Sequence, residues 1–351
     1  MLRMLRHSIG SLKLTLVGSL AKDNSLLFSF LNTLLYMYRR QCWILDISRF
    51  FRSFDQIIID RPIFLLGVQG GGLTVISRML RRNKNVVSVT GNHHYWSGAD
   101  EMQNVLGPIL PPSLTGIKHK APIDSLFPPP RSWTYAIDRV LPKYRKTADD
   151  FDLEIKRKFE KILRWTIYRS ADGNSVNRFI DKSQVYTVKL SFINALLKEY
   201  HPYFILITRN PYAACYRAAM RSELMRTKYP LPFEERLALA GQHWANSIES
   251  AVIDGRECQS FEIIRMEDIV RSPEPELRKL CDFIGIGFSQ EMLPAKGQEI
   301  PLGTRNPSKW YPLRSRVNSK YLSGIRQGQV EIIAERCGEY ADLFGYERPL
   351  G

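Results

Sequence analysis

The segment from Arg61 to Arg82, RPIFLLGVQGGGLTVISRMLRR, restricts the possible folds more than any other part of the chain. It opens with a short apolar run, Pro62 to Leu66, which is too brief for a helix and predicts a buried strand. Four glycines follow within six residues, and apolar side chains then recur at helical spacing at Leu73, Ile76, Met79 and Leu80. The segment therefore predicts a strand, a glycine-rich turn and a helix.

A glycine-rich turn in this position suits an anion. Glycine adopts positive φ angles and lets the backbone approach a ligand, while the first turn of a helix leaves amide N–H groups without partners. Those N–H groups and the helix dipole favour phosphate or sulfate. We therefore predict an anion site at Gly67, Gly70, Gly71, Gly72, Leu73 and Thr74. The alternative is that the glycines only allow the helix to pack closely on the strand.

The turn departs from the phosphate-binding loop of nucleotide triphosphatases at one position. Gly67, Gly72 and Thr74 fit the pattern G-x-x-x-x-G-K-[ST], but Leu73 stands where that pattern requires lysine. An ordinary kinase or nucleotide triphosphatase is therefore disfavoured, although the glycine spacing keeps a kinase as an alternative.

Length and charge narrow the choice of partners. The chain has 351 residues, a formal net charge of +15 and a pI near 9.6. This excess of positive charge favours small molecules with several phosphates, or anionic membrane surfaces. Nucleic acid is disfavoured, because the basic residues form no long run and no nucleic-acid-binding motif occurs.

The cysteines and the amino-terminal region bear on location. The five cysteines are odd in number and widely scattered, without metal or disulfide spacing, which is typical of reduced thiols in a cytoplasmic protein. Residues 1–60 carry eight Lys/Arg against four Asp/Glu, and their apolar stretch from Ser25 to Tyr38 is shorter than the ~20 residues that span a bilayer. We interpret residues 1–60 as a basic, amphipathic helical extension that can contact a membrane surface peripherally.

Further strands and helices alternate along the rest of the chain. We predict strands at Asn85 to Val89, Gln184 to Val188, Tyr203 to Thr208 and Ser260 to Arg265. Asp149 is the predicted N-cap of one helix, and a proline-rich segment at 107–130 excludes regular structure. The pattern indicates one doubly wound α/β domain over residues 61–346, with a mainly parallel sheet, helices on both faces and a tail at 347–351.

Candidate functional residues follow several of these strands. Ligands of open parallel sheets gather at the carboxyl ends of the strands. His93 and His94 come soon after the second predicted strand, and Arg209 follows the strand that ends at Thr208. Arg209 is followed by Asn210 and Pro211, and proline suits the first position of a helix, which we predict over Tyr212 to Arg226. Arg209 is therefore expected beside the glycine turn.

Together these segments resemble the PAPS-dependent sulfotransferase superfamily, in which PAPS is 3′-phosphoadenosine 5′-phosphosulfate. Five elements match in order: the strand, glycine turn and helix from Phe64 to Leu80, Asp181-Lys182-Ser183, the strand and Arg-Asn-Pro turn from Phe204 to Pro211, the acidic segment and helix from Arg265 to Ile286, and a basic loop with Trp from Arg305 to Trp310. The resemblance covers residues 61–346 and implies a P-loop-like fold that transfers a sulfuryl group to a hydroxyl or amine.

The resemblance also implies roles for individual residues. Arg209, Arg217, Arg305 and Trp310 would bind the donor nucleotide with the glycine turn, while Lys182 would assist catalysis. His93 or His94 would act as the general base, with Glu101 as a substitute. The partners would be the donor nucleotide and an acceptor glycan, lipid or small alcohol. No metal is expected, since no cluster has ligand spacing.

Two departures from the family pattern stand out. The family carries Lys or Arg where this chain has Gly70, and usually Ser where it has Arg217. The lost cation would have stabilised negative charge on the leaving phosphate, so we expect another cation to replace it, with Lys182, Lys189 and Arg78 as candidates. Arg217 would hold the 3′-phosphate. The alternative is a fold that binds the nucleotide but catalyses weakly or not at all.

Overall fold

A computed structural model of the chain describes residues 46, 51–89, 101–115, 135–170, 178–220, 230–294, 300–301, 310–311, 313, 316 and 318–350. Five parallel strands form its central sheet, in the order β2-β3-β1-β4-β5. They are β1 (Ile63–Leu66), β2 (Val86–Val87), β3 (Arg178–Asp181), β4 (Tyr203–Thr208) and β5 (Phe261–Arg265). Two further strands, β6 (Ile300–Pro301) and β7 (Trp310–Tyr311), form a separate antiparallel pair.

Eleven α-helices connect and flank these strands within the described residues. They are α1 (Leu73–Leu80), α2 (Met102–Val105), α3 (Leu141–Tyr144), α4 (Leu153–Ser170), α5 (Leu190–Leu197), α6 (Pro211–Ala219), α7 (Phe233–Gly255), α8 (Met266–Arg271), α9 (Pro273–Ile284), α10 (Ser319–Leu322) and α11 (Gln327–Leu343). Short 3₁₀ turns lie at Pro112–Leu114, Ala148–Asp150, Gln184–Val188, Lys198–Tyr200 and Gln290–Met292.

The sheet is covered on both faces, because alternate side chains of each strand enter different apolar clusters. Phe64 and Leu66 of β1 pack with Phe204 and Leu206 of β4 in a cluster that includes α4, α5, α7 and α11. Ile63 and Leu65, with Ile205 and Ile207, pack on the opposite side against α1, α8 and α9. The prediction of a doubly wound, mainly parallel α/β sheet is confirmed.

The prediction of a strand at Gln184 to Val188 is wrong, since this segment forms a 3₁₀ turn. The strand lies just before it, at Arg178–Asp181, where both end residues are charged. Arg178 is nonetheless 3% exposed, because its guanidinium donates to the carbonyl oxygens of Arg61 and Ile284. A short apolar run fits a buried turn as well as a strand, and that ambiguity produced the error.

Two helix boundaries also differ from the predictions. Asp149 lies within a 3₁₀ turn, and Asp152 instead caps α4 by accepting from the backbone N–H of Ile155 at 2.8 Å. The helix predicted from Tyr212 begins at Pro211 and ends at Ala219, with residues 221–229 outside the described part of the chain. Part of the proline-rich segment is regular, as a 3₁₀ turn at Pro112–Leu114.

The described residues before β1 pack on this core. Phe54 and Ile59 are buried in the cluster that includes α4, and Asp46 forms an ion pair with Arg169 of α4 at 2.9 Å. The predicted apolar stretch from Ser25 to Tyr38 lies outside the described residues. None of the described helices has the length and apolar character needed to cross a bilayer.

Candidate functional site

The turn between β1 and α1 contains three glycines with positive φ angles. Gly67, Gly70 and Gly72 have φ angles of 140°, 84° and 109°, a region that side chains rarely adopt. A Cβ on Gly67 would lie 2.5 Å from the carbonyl oxygen of Ile207, and one on Gly72 would overlap the sulfur of Met266. The backbone of Ile207 therefore excludes a side chain at Gly67, whereas the side chain of Met266 occupies the corresponding space at Gly72.

A threonine holds the beginning of this turn. The backbone N–H of Gly67 donates to Oγ1 of Thr187 at 2.8 Å, and the same hydroxyl lies 3.2 Å from the carbonyl oxygen of Gly67. Thr187 is fully buried. Its role had no signal in the sequence, because it belongs to the 3₁₀ turn that was predicted as a strand.

Helix α1 begins directly after the turn. Gly72 is its N-cap residue and offers no side-chain hydrogen bond to the first turn of the helix. Leu73 is buried and packs in the core, while Thr74 is partly exposed. The two residues therefore offer backbone N–H groups and one hydroxyl at the helix start, which is the geometry that binds an anion.

Arg209 lies beside this turn because β4 pairs directly with β1. Its Nη1 donates to the carbonyl oxygen of Gly70 at 2.7 Å, and its Nε donates to Oδ1 of Asn318 at 2.8 Å. Arg209 as a whole is 5% exposed. The structure thus brings together the two turns that the sequence predicted to be neighbours.

Glu267 fixes the position of the Arg209 turn. One carboxylate oxygen accepts from the backbone N–H of Asn210 at 2.9 Å and from Nδ2 of Asn318 at 2.5 Å. The other accepts from the hydroxyl of Tyr346 at 3.2 Å. The acidic segment after β5 was matched to the family pattern, but no site role was predicted for Glu267. Asn318 was missed, because it is 109 residues from Arg209 in sequence and belongs to no motif.

Arg217 lies on the glycine turn as well. It is on α6, is partly buried, and places Cζ 3.1 Å from the position that a Cβ on Gly70 would take. The same Cβ would overlap Nη1 of Arg217. Two of the predicted binding arginines, Arg209 and Arg217, therefore flank Gly70.

Lys182 lies at the end of β3, on the other side of β1. Its Nζ forms an ion pair with Oε1 of Glu101 at 2.9 Å, and both residues are less than a tenth exposed. The adjacent Asp181 accepts from the backbone N–H groups of Met102 and Ser183, and burial raises the pKa of its carboxyl group to about 6. The tips of β3, β1 and β4 thus present Lys182, the glycine turn and Arg209 in a row.

The other cations expected to replace a side chain at Gly70 have different surroundings. Lys189 is 2% exposed, donates to the carbonyl oxygens of Ser113 and Thr115, and has a pKa lowered to about 7 by burial. Arg78 lies in the last turn of α1 and is fully buried. Both side chains are therefore enclosed by protein.

Several predicted site residues lie outside the described part of the chain. His93, His94 and Arg305 are among them, and Trp310 is described only as backbone in β7. Among the described residues, no group of His, Cys, Asp and Glu could hold a metal ion. Four of the five cysteines are described, and all four are free thiols: Cys215, Cys258, Cys281 and Cys337.

The geometry defines a P-loop-like α/β domain with a glycine-rich turn after the central strand of its sheet. A model described as "Sulfotransferase family" matches residues 62–290, which is more than half of the chain. The chain therefore belongs to the sulfotransferase family. A search of curated proteins gives no match.

Solved structures of low sequence identity are similar to the chain. A sulfotransferase domain from the curacin biosynthetic pathway is 16% identical, with 83% of this chain and 99% of that chain covered and a TM-score of 0.49. A sulfotransferase domain from the Synechococcus PCC 7002 olefin synthase is 16% identical, with coverages of 84% and 98% and a TM-score of 0.47. Sulfotransferase STF9 from Mycobacterium avium is 17% identical, with coverages of 89% and 82% and a TM-score of 0.47. The family assignment depends on the family model and not on these structures.

Proposed function

We propose that the protein transfers a sulfuryl group from PAPS to a hydroxyl or amine group of an acceptor molecule. One observation carries the proposal: the glycine turn after β1 and Arg209 after β4 are in direct contact, with Nη1 of Arg209 2.7 Å from the carbonyl oxygen of Gly70. A nucleotide with phosphate groups at both its 5′ and 3′ positions suits an anion-binding turn with a guanidinium beside it.

The proposed binding roles follow from this arrangement. Backbone N–H groups at Leu73 and Thr74, with the turn formed by Gly67, Gly70, Gly71 and Gly72, hold the 5′-phosphosulfate. Arg209 holds the 3′-phosphate, and the hydrogen bonds that Arg209 donates to Asn318 and Asn210 donates to Glu267 keep its turn in place. Arg305 and Trp310 complete the nucleotide site, as the family resemblance implies.

The proposed reaction is an in-line displacement at sulfur. A lone pair of the acceptor oxygen or nitrogen forms the new bond to sulfur, while the bond between sulfur and the bridging oxygen breaks and leaves its electron pair on the 5′-phosphate. His93 or His94 takes the acceptor proton, with Glu101 as the substitute. Lys182 stabilises the negative charge that develops as the bond breaks.

Two measurements test this function. Isothermal titration with adenosine 3′,5′-bisphosphate should show binding to the purified protein, and radiolabelled PAPS should transfer its label to at least one member of a panel of glycans, lipids and small alcohols. Chelating agents should leave the transfer unchanged. A protein that binds neither the bisphosphate nor PAPS contradicts the proposal.

The same assays separate two alternatives. A fold that binds the bisphosphate but transfers no label is a nucleotide-binding protein without catalysis, which the absence of a side chain at Gly70 favours. A protein that binds ATP and transfers its terminal phosphate is a kinase, the outcome that Leu73 disfavours.

A further inference from the structure

The glycine turn provides no side-chain charge of its own. Residues 67–77 include no Lys, Arg, His, Asp or Glu, and the turn must nevertheless face a doubly charged phosphosulfate in the proposed reaction. As the bond to sulfur breaks, more negative charge collects on the leaving phosphate. Backbone N–H groups alone supply dipoles there, whereas a positive charge would stabilise the transition state much more strongly.

Arg217 brings a positive charge to this turn. Its guanidinium occupies the volume in which a side chain at Gly70 would begin, since a Cβ there would overlap Nη1 and lie 3.1 Å from Cζ. No hydrogen bond or ion pair joins Arg217 to any residue of the described chain. The described part of the protein therefore uses none of the N–H donors of Arg217. Gly70 and Arg217 therefore depend on each other: only glycine leaves room for this guanidinium.

Neighbouring contacts separate the roles of the two arginines. Arg209 already uses Nε for Asn318 and Nη1 for the carbonyl oxygen of Gly70, and it is almost fully buried. Arg217 approaches the same glycine from helix α6, is more exposed, and lies against its Cα. Arg209 thus fixes the backbone of the turn, and Arg217 adds charge to its surface.

We propose that Arg217 is the cation of the 5′-phosphosulfate site. Its guanidinium supplies the positive charge that the family carries at position 70, where this chain has glycine. This inference rests on the proposed sulfotransferase function. It replaces the role in 3′-phosphate binding that the family resemblance implies for Arg217. In the reaction, its guanidinium donates to the 5′-phosphate oxygens as they accept the electron pair from the breaking bond to sulfur.

Binding of two nucleotides tests this assignment without knowledge of the acceptor. Adenosine 3′,5′-bisphosphate has both phosphates, and adenosine 5′-phosphate lacks the 3′ group. If Arg217 acts at the 5′ side, Arg217→Ala weakens the binding of both nucleotides by the same factor, about 10- to 100-fold for a charge-assisted hydrogen bond. If Arg217 instead holds the 3′-phosphate, only the bisphosphate loses affinity, and that outcome overturns the inference.

A charge returned to position 70 provides the second test. Gly70→Lys alone should impair binding, because the new side chain displaces the Arg217 guanidinium and is strained at a φ of 84°. In Arg217→Ala protein the same Lys has room, so the double variant should bind both nucleotides more tightly than Arg217→Ala does. A double variant that binds no better, while its unfolding temperature matches that of Arg217→Ala, contradicts the inference about Arg217.

Matched controls distinguish a failure of the inference about Arg217 from a failure of the proposed function. Lys279→Ala removes the same charge from an exposed ion pair with Glu276 on α9 and should leave both affinities unchanged. Wild-type protein that binds neither nucleotide overturns the proposed function and, with it, this inference. Wild-type protein that binds both, combined with an Arg217→Ala variant that is unimpaired or loses only the bisphosphate, overturns this inference alone.

Discussion

Nη1 of Arg209 lies 2.7 Å from the carbonyl oxygen of Gly70 and so joins the turns that follow two neighbouring strands. Because Nε of the same side chain is held by Asn318, the guanidinium is fixed before any ligand arrives. Less side-chain freedom then remains to be lost when a phosphate binds.

Arg209→Lys should separate the charge of this residue from its geometry. Lysine keeps the positive charge but cannot donate to Gly70 and Asn318 at the same time from a planar fork. We expect the affinity for adenosine 3′,5′-bisphosphate to fall about 10-fold in Arg209→Lys and about 100-fold in Arg209→Ala. Isothermal titration measures both, and an affinity of Arg209→Lys equal to that of the wild-type protein would contradict a role for the geometry.

The ion pair between Lys182 and Glu101 gives a prediction that separates stability from activity. Lys182→Met leaves the carboxylate of Glu101 buried without its cation, which should cost about 3–5 kcal/mol of unfolding free energy. The double variant Lys182→Met, Glu101→Gln should recover most of that loss, since no uncompensated charge is left.

Denaturant unfolding and sulfate transfer should be measured on the wild-type protein, Lys182→Met, the double variant and Glu101→Gln. Stability should return in the double variant while transfer stays below that of Glu101→Gln, because Lys182 is proposed to act on the developing charge and Glu101→Gln accounts for loss of the substitute base. A double variant that regains transfer along with stability would show that Lys182 serves only to neutralise Glu101.

Glycine substitutions in the turn should differ according to backbone conformation. Gly67→Ala adds a Cβ 2.5 Å from the carbonyl oxygen of Ile207 at a φ of 140°, and neither obstacle is relieved by a side-chain movement. Gly71→Ala is the matched control, because Gly71 is outside the positive φ region and its nearest neighbour would be at 3.0 Å. We expect the unfolding temperature to fall much more for Gly67→Ala, and equal losses would refute the strain argument.

His243 should make the protein sensitive to acid. The ring is buried, accepts a hydrogen bond at Nδ1 from the backbone N–H of Ala136, and packs edge-on against Tyr135. Burial lowers its pKa from 6.5 to about 3. Between these values the unfolded chain binds a proton at His243 and the folded chain does not. The contribution of the neutral His243 ring to the unfolding free energy is therefore complete above pH 6.5. It decreases as the pH falls toward 3, by up to about 1.4 kcal/mol per pH unit.

His243→Asn should flatten this acid dependence. The Asn side-chain oxygen can still accept from Ala136, but the group no longer titrates. Asp181 acts in the opposite direction, because its raised folded pKa adds stability as the pH falls from about 6. The wild-type protein and His243→Asn both contain Asp181. The difference between their unfolding free energies from pH 7 to pH 4 therefore isolates the effect of the histidine. Parallel pH curves would exclude this role.

The parts of the fold that the sequence predicted are those encoded by local patterns. Strand β4 is apolar along its whole length and ends at Arg209-Asn210-Pro211, and its observed bounds, Tyr203–Thr208, are those predicted. The glycine turn after β1 was equally predictable from the sequence, because the apolar patterns before and after it predict a strand and a helix. The parallel order of the strands then brings both turns to one edge of the sheet.

The missed elements depend on contacts between distant segments. Strand β3 has charged residues at both ends, and Arg178 is buried with the help of hydrogen bonds to the carbonyl groups of Arg61 and Ile284. The hydroxyl of Thr187 reaches Gly67 across 120 residues, and Asn318 reaches Arg209 across 109. Local propensity cannot predict such partners, because each needs the folded sheet to bring the two segments together.

The hydroxyl of Tyr346 lies 2.8 Å from Oγ1 of Thr208 and 3.2 Å from Glu267, so the last buried aromatic residue of the chain supports the strand that carries Arg209. This attachment has a practical side for anyone who prepares the protein. If the proposed function holds, a version cut before Tyr346 should bind the donor nucleotide less tightly while most of its helices stay intact.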